Sequence, residues 1–126
     1  MSPLTALGAV PDPALVAAGG AGGAVGRYLV GSAVDRGGSF PLGTLTVNVV
    51  GSFLLGLLTF LPVGGDVSLF VGTGACGAFT TFSSFSVATV QLWDGGERGR
   101  AVAFVAANTL LAGGAVALAA VLAGAS

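Results

Sequence analysis

Charged positions divide the chain into long apolar runs. They fall at Asp12, Arg27, Asp35, Arg36, Asp66, Asp94, Glu97, Arg98 and Arg100. Residues 37–65, 67–93 and 101–126 carry no charge, and each run exceeds the ~20 residues a helix needs to cross a hydrocarbon core. A further stretch, about 14–34, is interrupted only by Arg27. In lipid every backbone polar group must be satisfied internally, which leaves helices or closed barrels. Continuous rather than alternating hydrophobicity selects helices. The pattern predicts helices at about 14–34, 42–62, 67–92 and 100–123. The predicted turns are Asp35-Arg36-Gly37-Gly38 with Pro41 opening the next helix, then residues 62–66, then residues 94–98. Trp93 stands where an interfacial aromatic belongs. The expectation is an all-α membrane protein with four transmembrane helices, forming a single domain over 1–126 with no internal repeat.

Composition sharpens this reading. Hydrophobic residues make up 54% and charged residues 7% of 126 positions, against roughly 25% charged in a soluble domain. Mean hydropathy is +0.98. Nine charges cannot solvate a globule of this size, which excludes a soluble monomer. Four Arg and no Lys cannot neutralise a phosphate track, so nucleic acid is excluded as a partner. With no His and one Cys, His- or Cys-based metal sites, a Ser-His-Asp triad and an intrachain disulfide are excluded as well. There is no Walker motif, and too few titratable groups for an enzyme. The N-terminus lacks the basic segment of a secretory signal. What remains is a multi-pass protein of the cell membrane, short enough to need oligomerisation. Arg36, Arg98 and Arg100 fall on one side and no Arg or Lys on the other loops or termini, which favours termini outside.

Several residues do not suit a plain bundle. The first predicted helix carries Gly22 and Gly26 in a GxxxG pair, a pattern for close helix packing. Arg27 is costly in a membrane, so it either snorkels from the span's end or faces an aqueous vestibule and attracts anions. Thr44, Asn48, Ser52 and Gly56 recur every four residues and share one helix face, as interhelical glue or as a pore track. Residues 72–86 are the most informative. Gly72, Gly74 and Gly77 precede five hydroxyl residues, Thr80, Thr81, Ser83, Ser84 and Ser86. Gly, Ser and Thr at this depth predict a helix break near 77–83, where freed carbonyls hold a cation and half-helix N-termini attract an anion. Phe79, Phe82 and Phe85 repeat every three residues beside it, as core or as electropositive ring edges for an anion. Cys76 reads as packing, and Asn108 and Thr109 as polar positions on the last helix.

Three motifs carry a resemblance: Gly-Arg-Tyr at 26–28, Gly-Thr-x-x-Val-Asn-x-x-Gly-Ser-Phe at 43–53, and Gly-x-x-Thr-Thr-Phe-Ser-Ser-Phe-Ser at 77–86. Their order and spacing resemble the CrcB or Fluc family of small fluoride channels. The resemblance implies an antiparallel dimer of four-helix subunits with two pores, in the lipid bilayer, passing fluoride ion outward without coupling to ATP or another ion. It also implies a central structural Na⁺ held by carbonyls of Gly77 and Thr80. It puts Phe82, Phe85 and Asn48 along the fluoride path and Arg27 at the vestibule. Ser83, Ser84 and Asn108 join them as hydrogen-bonding groups. The last helix departs from the family's Tyr followed four residues later by Ser: Phe104, Asn108 and Ala112 occupy that register. The Arg bias leaves two assemblies open, a dual-topology homodimer or a heterodimer with an oppositely oriented homologue. Two rival functions differ in class. A small multidrug-type transporter requires a membrane-embedded carboxylate, which no predicted span contains, and a non-transporting structural subunit would pass no ion.

Overall fold

The computed structural model describes residues 10–35 and 40–124. Among these the chain is helical throughout and contains no strand. Helix α1 (Asp12–Val34) starts after Pro11, with Pro13 in its first turn, where a missing N–H costs nothing. Helix α2 (Leu42–Phe60) starts after Pro41 and ends where Leu61 turns extended ahead of Pro62. The third predicted helix is several pieces: α3 (Gly65–Val67), a π-helical stretch (Ser68–Cys76), α4 (Gly77–Phe79) and, beyond an extended break, α5 (Phe82–Asp94). Helix α6 (Arg98–Gly124) completes the chain. Arg36, Gly37 and Gly38 of the first predicted turn lie outside the described residues.

Helices α2 and α6 are long and apolar enough to cross a membrane. Many glycines dilute the hydropathy of α1, and the third segment is divided by its break. The turn into α6 is fixed by backbone geometry. Gly96 adopts φ +83°, its N–H donates to the Trp93 carbonyl at 3.2 Å, and the Glu97 N–H donates to the Leu92 carbonyl at 2.9 Å. These two bonds close a Schellman motif, and glycine takes the left-handed position without steric cost. Arg98 then stacks on the Trp93 ring at 4.8 Å, and Arg100 pairs with Glu97 at 3.6 Å.

Two packing relations position the site. Helix α2 lies along α6, and α1 lies along the π-helical stretch. In the second pair the backbones touch. A Cβ on Gly19 would collide with the Phe70 carbonyl, and one on Gly23 with the Ala75 carbonyl. The carbonyls are five residues apart, their glycine partners four. Hydrogen bonds running i to i+5 widen the turn, which brings residues 70 and 75 onto one face opposite Gly19 and Gly23. The packing pair is therefore Gly19 and Gly23 rather than the expected Gly22 and Gly26. Nothing lies within 4 Å of a Cβ on Gly22, and Gly26 meets only the Phe79 ring at 3.4 Å. Leu92, Ala101 and Phe104 form a core that Phe40, Leu45, Phe85 and Ala88 cover.

Candidate functional site

The site is built around the interruption at Thr80 and Thr81. Thr80 (φ −78°, ψ 160°) and Thr81 (φ −151°, ψ 120°) are extended, which stops α4 and restarts the chain as α5. Both hydroxyls are used locally. Thr80 Oγ1 donates to the Cys76 carbonyl at 3.0 Å, and Thr81 Oγ1 accepts from the Ser84 N–H at 3.0 Å, capping α5. The break redirects backbone partners. The N–H groups that would reach back to the Gly77 and Thr80 carbonyls, those of Thr81 and Ser84, donate instead to Asn48 and to the Thr81 hydroxyl. Gly77 is exposed, with nothing nearer than 3.9 Å to a Cβ built on it. Among the described residues no cluster of three His, Cys, Asp or Glu side chains exists. The break thus releases the carbonyls of Gly77 and Thr80 from those helical donors.

Asn48, buried on α2, meets the break with both ends of its amide. Its Oδ1 accepts from the Thr81 N–H at 2.8 Å, and its Nδ2 donates to the Thr81 carbonyl at 3.1 Å. The same Nδ2 donates to Oδ1 of Asn108 on α6 at 2.9 Å. One backbone residue, one α2 side chain and one α6 side chain are thereby locked together. Gly51, one turn further along α2, admits the Thr80 methyl, which a Cβ there would strike.

Arg27 reaches the same place from α1. Its Nε donates to the Ala78 carbonyl at 3.1 Å. The break deprives that carbonyl of a helical partner, and a cation at the end of a helix also complements its dipole. Arg27 also lines a cavity of about 530 Å³ with Tyr28, Ser32, Asp35, Thr44, Thr81 and Ser84. A second cavity of about 250 Å³ involves Asn48, Ser52, Thr80, Thr81, Phe82 and Asn108. Thr81 therefore borders open space on two sides. A third, of about 330 Å³, is lined by Thr44, Ser83, Ser84 and Gln91 among others.

Of the phenylalanines, Phe82 is 79% exposed and Phe85 is half-buried. Their ring centroids are 5.8 Å apart, and Phe85 lies 5.4 Å from Phe104, itself fully buried and edge-on to Phe40 at 5.7 Å. Phe104 is thus core. Ser83 is exposed, with its Oγ 3.3 Å from Thr81 Oγ1. Of the helix-2 stripe, Asn48 reaches the break, Thr44 and Ser52 line cavities, and Gly56 serves packing, its Cβ position only 2.9 Å from the Ala119 methyl.

The family described as "CrcB-like protein, Camphor Resistance (CrcB)" matches residues 14–125, which takes in every element of this site. The chain belongs to the CrcB family. It is 56% identical over 113 residues to fluoride-specific ion channel FluC 1 of Halobacterium salinarum, covering 89% of this chain and 94% of that one. It is 65% identical over 82 residues to fluoride-specific ion channel FluC 2 of Haloarcula marismortui, covering 65% and 68%. It is 48% identical over 118 residues to fluoride-specific ion channel FluC of Agrobacterium fabrum, covering 88% and 90%. Membership of the CrcB family makes this a membrane protein.

Within this CrcB chain the structure brings Arg27, Asn48, Thr80, Thr81, Ser84 and Asn108 to one locus from α1, α2, the break and α6. Sequence reasoning missed Asp35. Its Oδ1 accepts from the Gly43 N–H at 2.8 Å, so it caps the start of α2 from the cavity wall. A Cβ at 43 would meet both that carboxylate and, at 2.9 Å, the Gly31 Cα of α1, and the backbone contact is what calls for glycine. An acid at a helix end before a proline-initiated helix was the available signal, but it was spent on the turn.

Proposed function

We propose that this chain is a subunit of a fluoride-selective channel that lets cytoplasmic fluoride leave the cell passively, lowering its toxicity. The observation that carries the reading is the broken helix, bordered at Thr81 by the Arg27-lined cavity and by the smaller Ser52–Asn108 cavity. An anion crossing lipid needs its water replaced by several weak donors with no deep trap. The hydroxyls of Ser83 and Ser84, the Asn108 amide and the edges of Phe82 and Phe85 supply weak donors, and the Arg27 guanidinium stands at the larger cavity. The names of the relatives agree with this ion. The protein is read as multi-pass in the cell membrane, with four spans and no enzymatic activity.

The carbonyls of Gly77 and Thr80 would hold a structural Na⁺ that is not transported. A Na⁺ bound there supplies fixed positive charge beside the path. Two carbonyls per chain do not complete a cation's coordination, so the reading includes an antiparallel dimer. The open face at Gly77 and the bare ring of Phe82 leave room for a second subunit, either a copy of this chain or an oppositely oriented homologue. Expression in a host lacking its own fluoride exporter tests the function. Growth in fluoride medium is expected to be restored, and unchanged sensitivity with the protein present in the membrane would contradict it.

A further inference from the structure

Counting the bonds of Asn48 assigns it a role other than that of an ion donor. A primary amide has two N–H donors and one oxygen. The Thr81 N–H can be met only by an oxygen, so Oδ1 must face it, and this fixes the orientation of the whole amide. The two Nδ2 hydrogens then go to the Thr81 carbonyl and to Asn108 Oδ1. Neither hydrogen is left for a permeating ion. The paired contact on Thr81 reproduces what a neighbouring strand offers an extended residue, an acceptor for its N–H and a donor for its carbonyl. Thr81 has that extended conformation although no strand is present among the described residues.

We propose that Asn48 is a positioning residue: its amide stands in for a backbone partner at Thr81 and so holds the helix break open. Without it, the Thr81 N–H and carbonyl both lose their partner, and nothing on α2 holds the extended residue in place. Asn108 sets the second half of the arrangement. Because it presents Oδ1 to Asn48, its own Nδ2 is left facing away from that bond, and the residue lines the 250 Å³ cavity. Asn48 thus acts on the path through Thr81 and Asn108.

The inference rests on the channel reading for its flux measurement and is independent of it for its backbone measurement. Full-length protein in lipid nanodiscs is compared for amide hydrogen exchange at Thr81, and in vesicles for fluoride efflux, as wild type, Asn48→Ala, Asn48→Asp and Asn108→Ala. Asn48→Ala is expected to speed exchange at Thr81 by about tenfold or more and to lower efflux. Asn48→Asp keeps the oxygen that accepts from the Thr81 N–H, and exchange there is expected to stay within about threefold of wild type. Asn108→Ala leaves the Asn48–Thr81 pair in place, so exchange is unchanged while efflux falls. Slower efflux in Asn48→Ala with wild-type exchange at Thr81 would overturn the proposal, because Asn48 would then act on the ion directly. Equal exchange in Asn48→Asp and Asn48→Ala would overturn it too. If wild-type vesicles pass no fluoride, the channel reading fails and the exchange contrast still decides the role of Asn48.

Discussion

Arg27 ends on the carbonyl oxygen of Ala78, 3.1 Å from its Nε, rather than on a carboxylate. The guanidinium therefore has two roles: it satisfies an acceptor that the helix break released, and it brings positive charge to the wall of the large cavity. Arg27→Ala is expected to lower fluoride flux about threefold at ~10 mM ionic strength and less at ~1 M, where the screening length shrinks from ~30 Å to ~3 Å. Salt-independent loss would mean that only the bond to Ala78 matters.

Phe82 and Phe85 are expected to separate on stability. Phe82 is largely bare, whereas Phe85 packs between Phe82 and the buried Phe104. Phe82→Ile and Phe85→Ile should both depress fluoride flux by removing a ring edge. Phe85→Ile, which also loses the pair with Phe104, should lower thermal stability by about 1 kcal/mol more than Phe82→Ile, the worth of one aromatic pair. Thermal melts in detergent beside flux in vesicles check this. Wild-type flux in both variants would reduce the rings to packing.

Gly22 and Gly23 provide a matched comparison. An added methyl at 22 enters open space, whereas at 23 it meets the Ala75 backbone. Gly22→Ala should leave the melting temperature unchanged or slightly raised. Gly23→Ala should destabilise by about 1–3 kcal/mol, the usual cost of overpacking. Similar behaviour of the two would argue against backbone contact between α1 and the π-helical stretch.

Asp35 carries both a cap and a charge, and these can be separated. Asp35→Asn keeps an oxygen for the Gly43 N–H, so stability should hold, while loss of the negative charge at the cavity wall should raise anion flux about twofold at low salt. Asp35→Ala removes the cap as well and should cost about 1 kcal/mol of stability. Lower flux in Asp35→Asn would contradict an electrostatic role at that wall.

The break was legible because its causes are local: three glycines and a run of hydroxyls lower helix propensity wherever they stand. Pro41 likewise announced the start of α2. The π-helical stretch was not legible, since its wide turn follows from which α1 glycines face it, and five glycines within residues 19–26 make two GxxxG pairs, 19/23 and 22/26, equally good on paper. The four-residue stripe put Asn48 on one face with Ser52, which borders the same cavity, while Thr44 borders others. It could not say that the Asn48 amide spends both donors, because its partners lie 33 and 60 residues away. Arg27 was recognisable as anomalous, but a carbonyl partner leaves no mark in a sequence.

The central claim is ion selectivity, and it is tested most directly by loading vesicles reconstituted with the purified full-length chain with fluoride and recording efflux with an ion-selective electrode, beside identical vesicles loaded with chloride. The account predicts rapid fluoride release and chloride release no faster than from protein-free vesicles. Equal passage of both ions, or of neither, would contradict it.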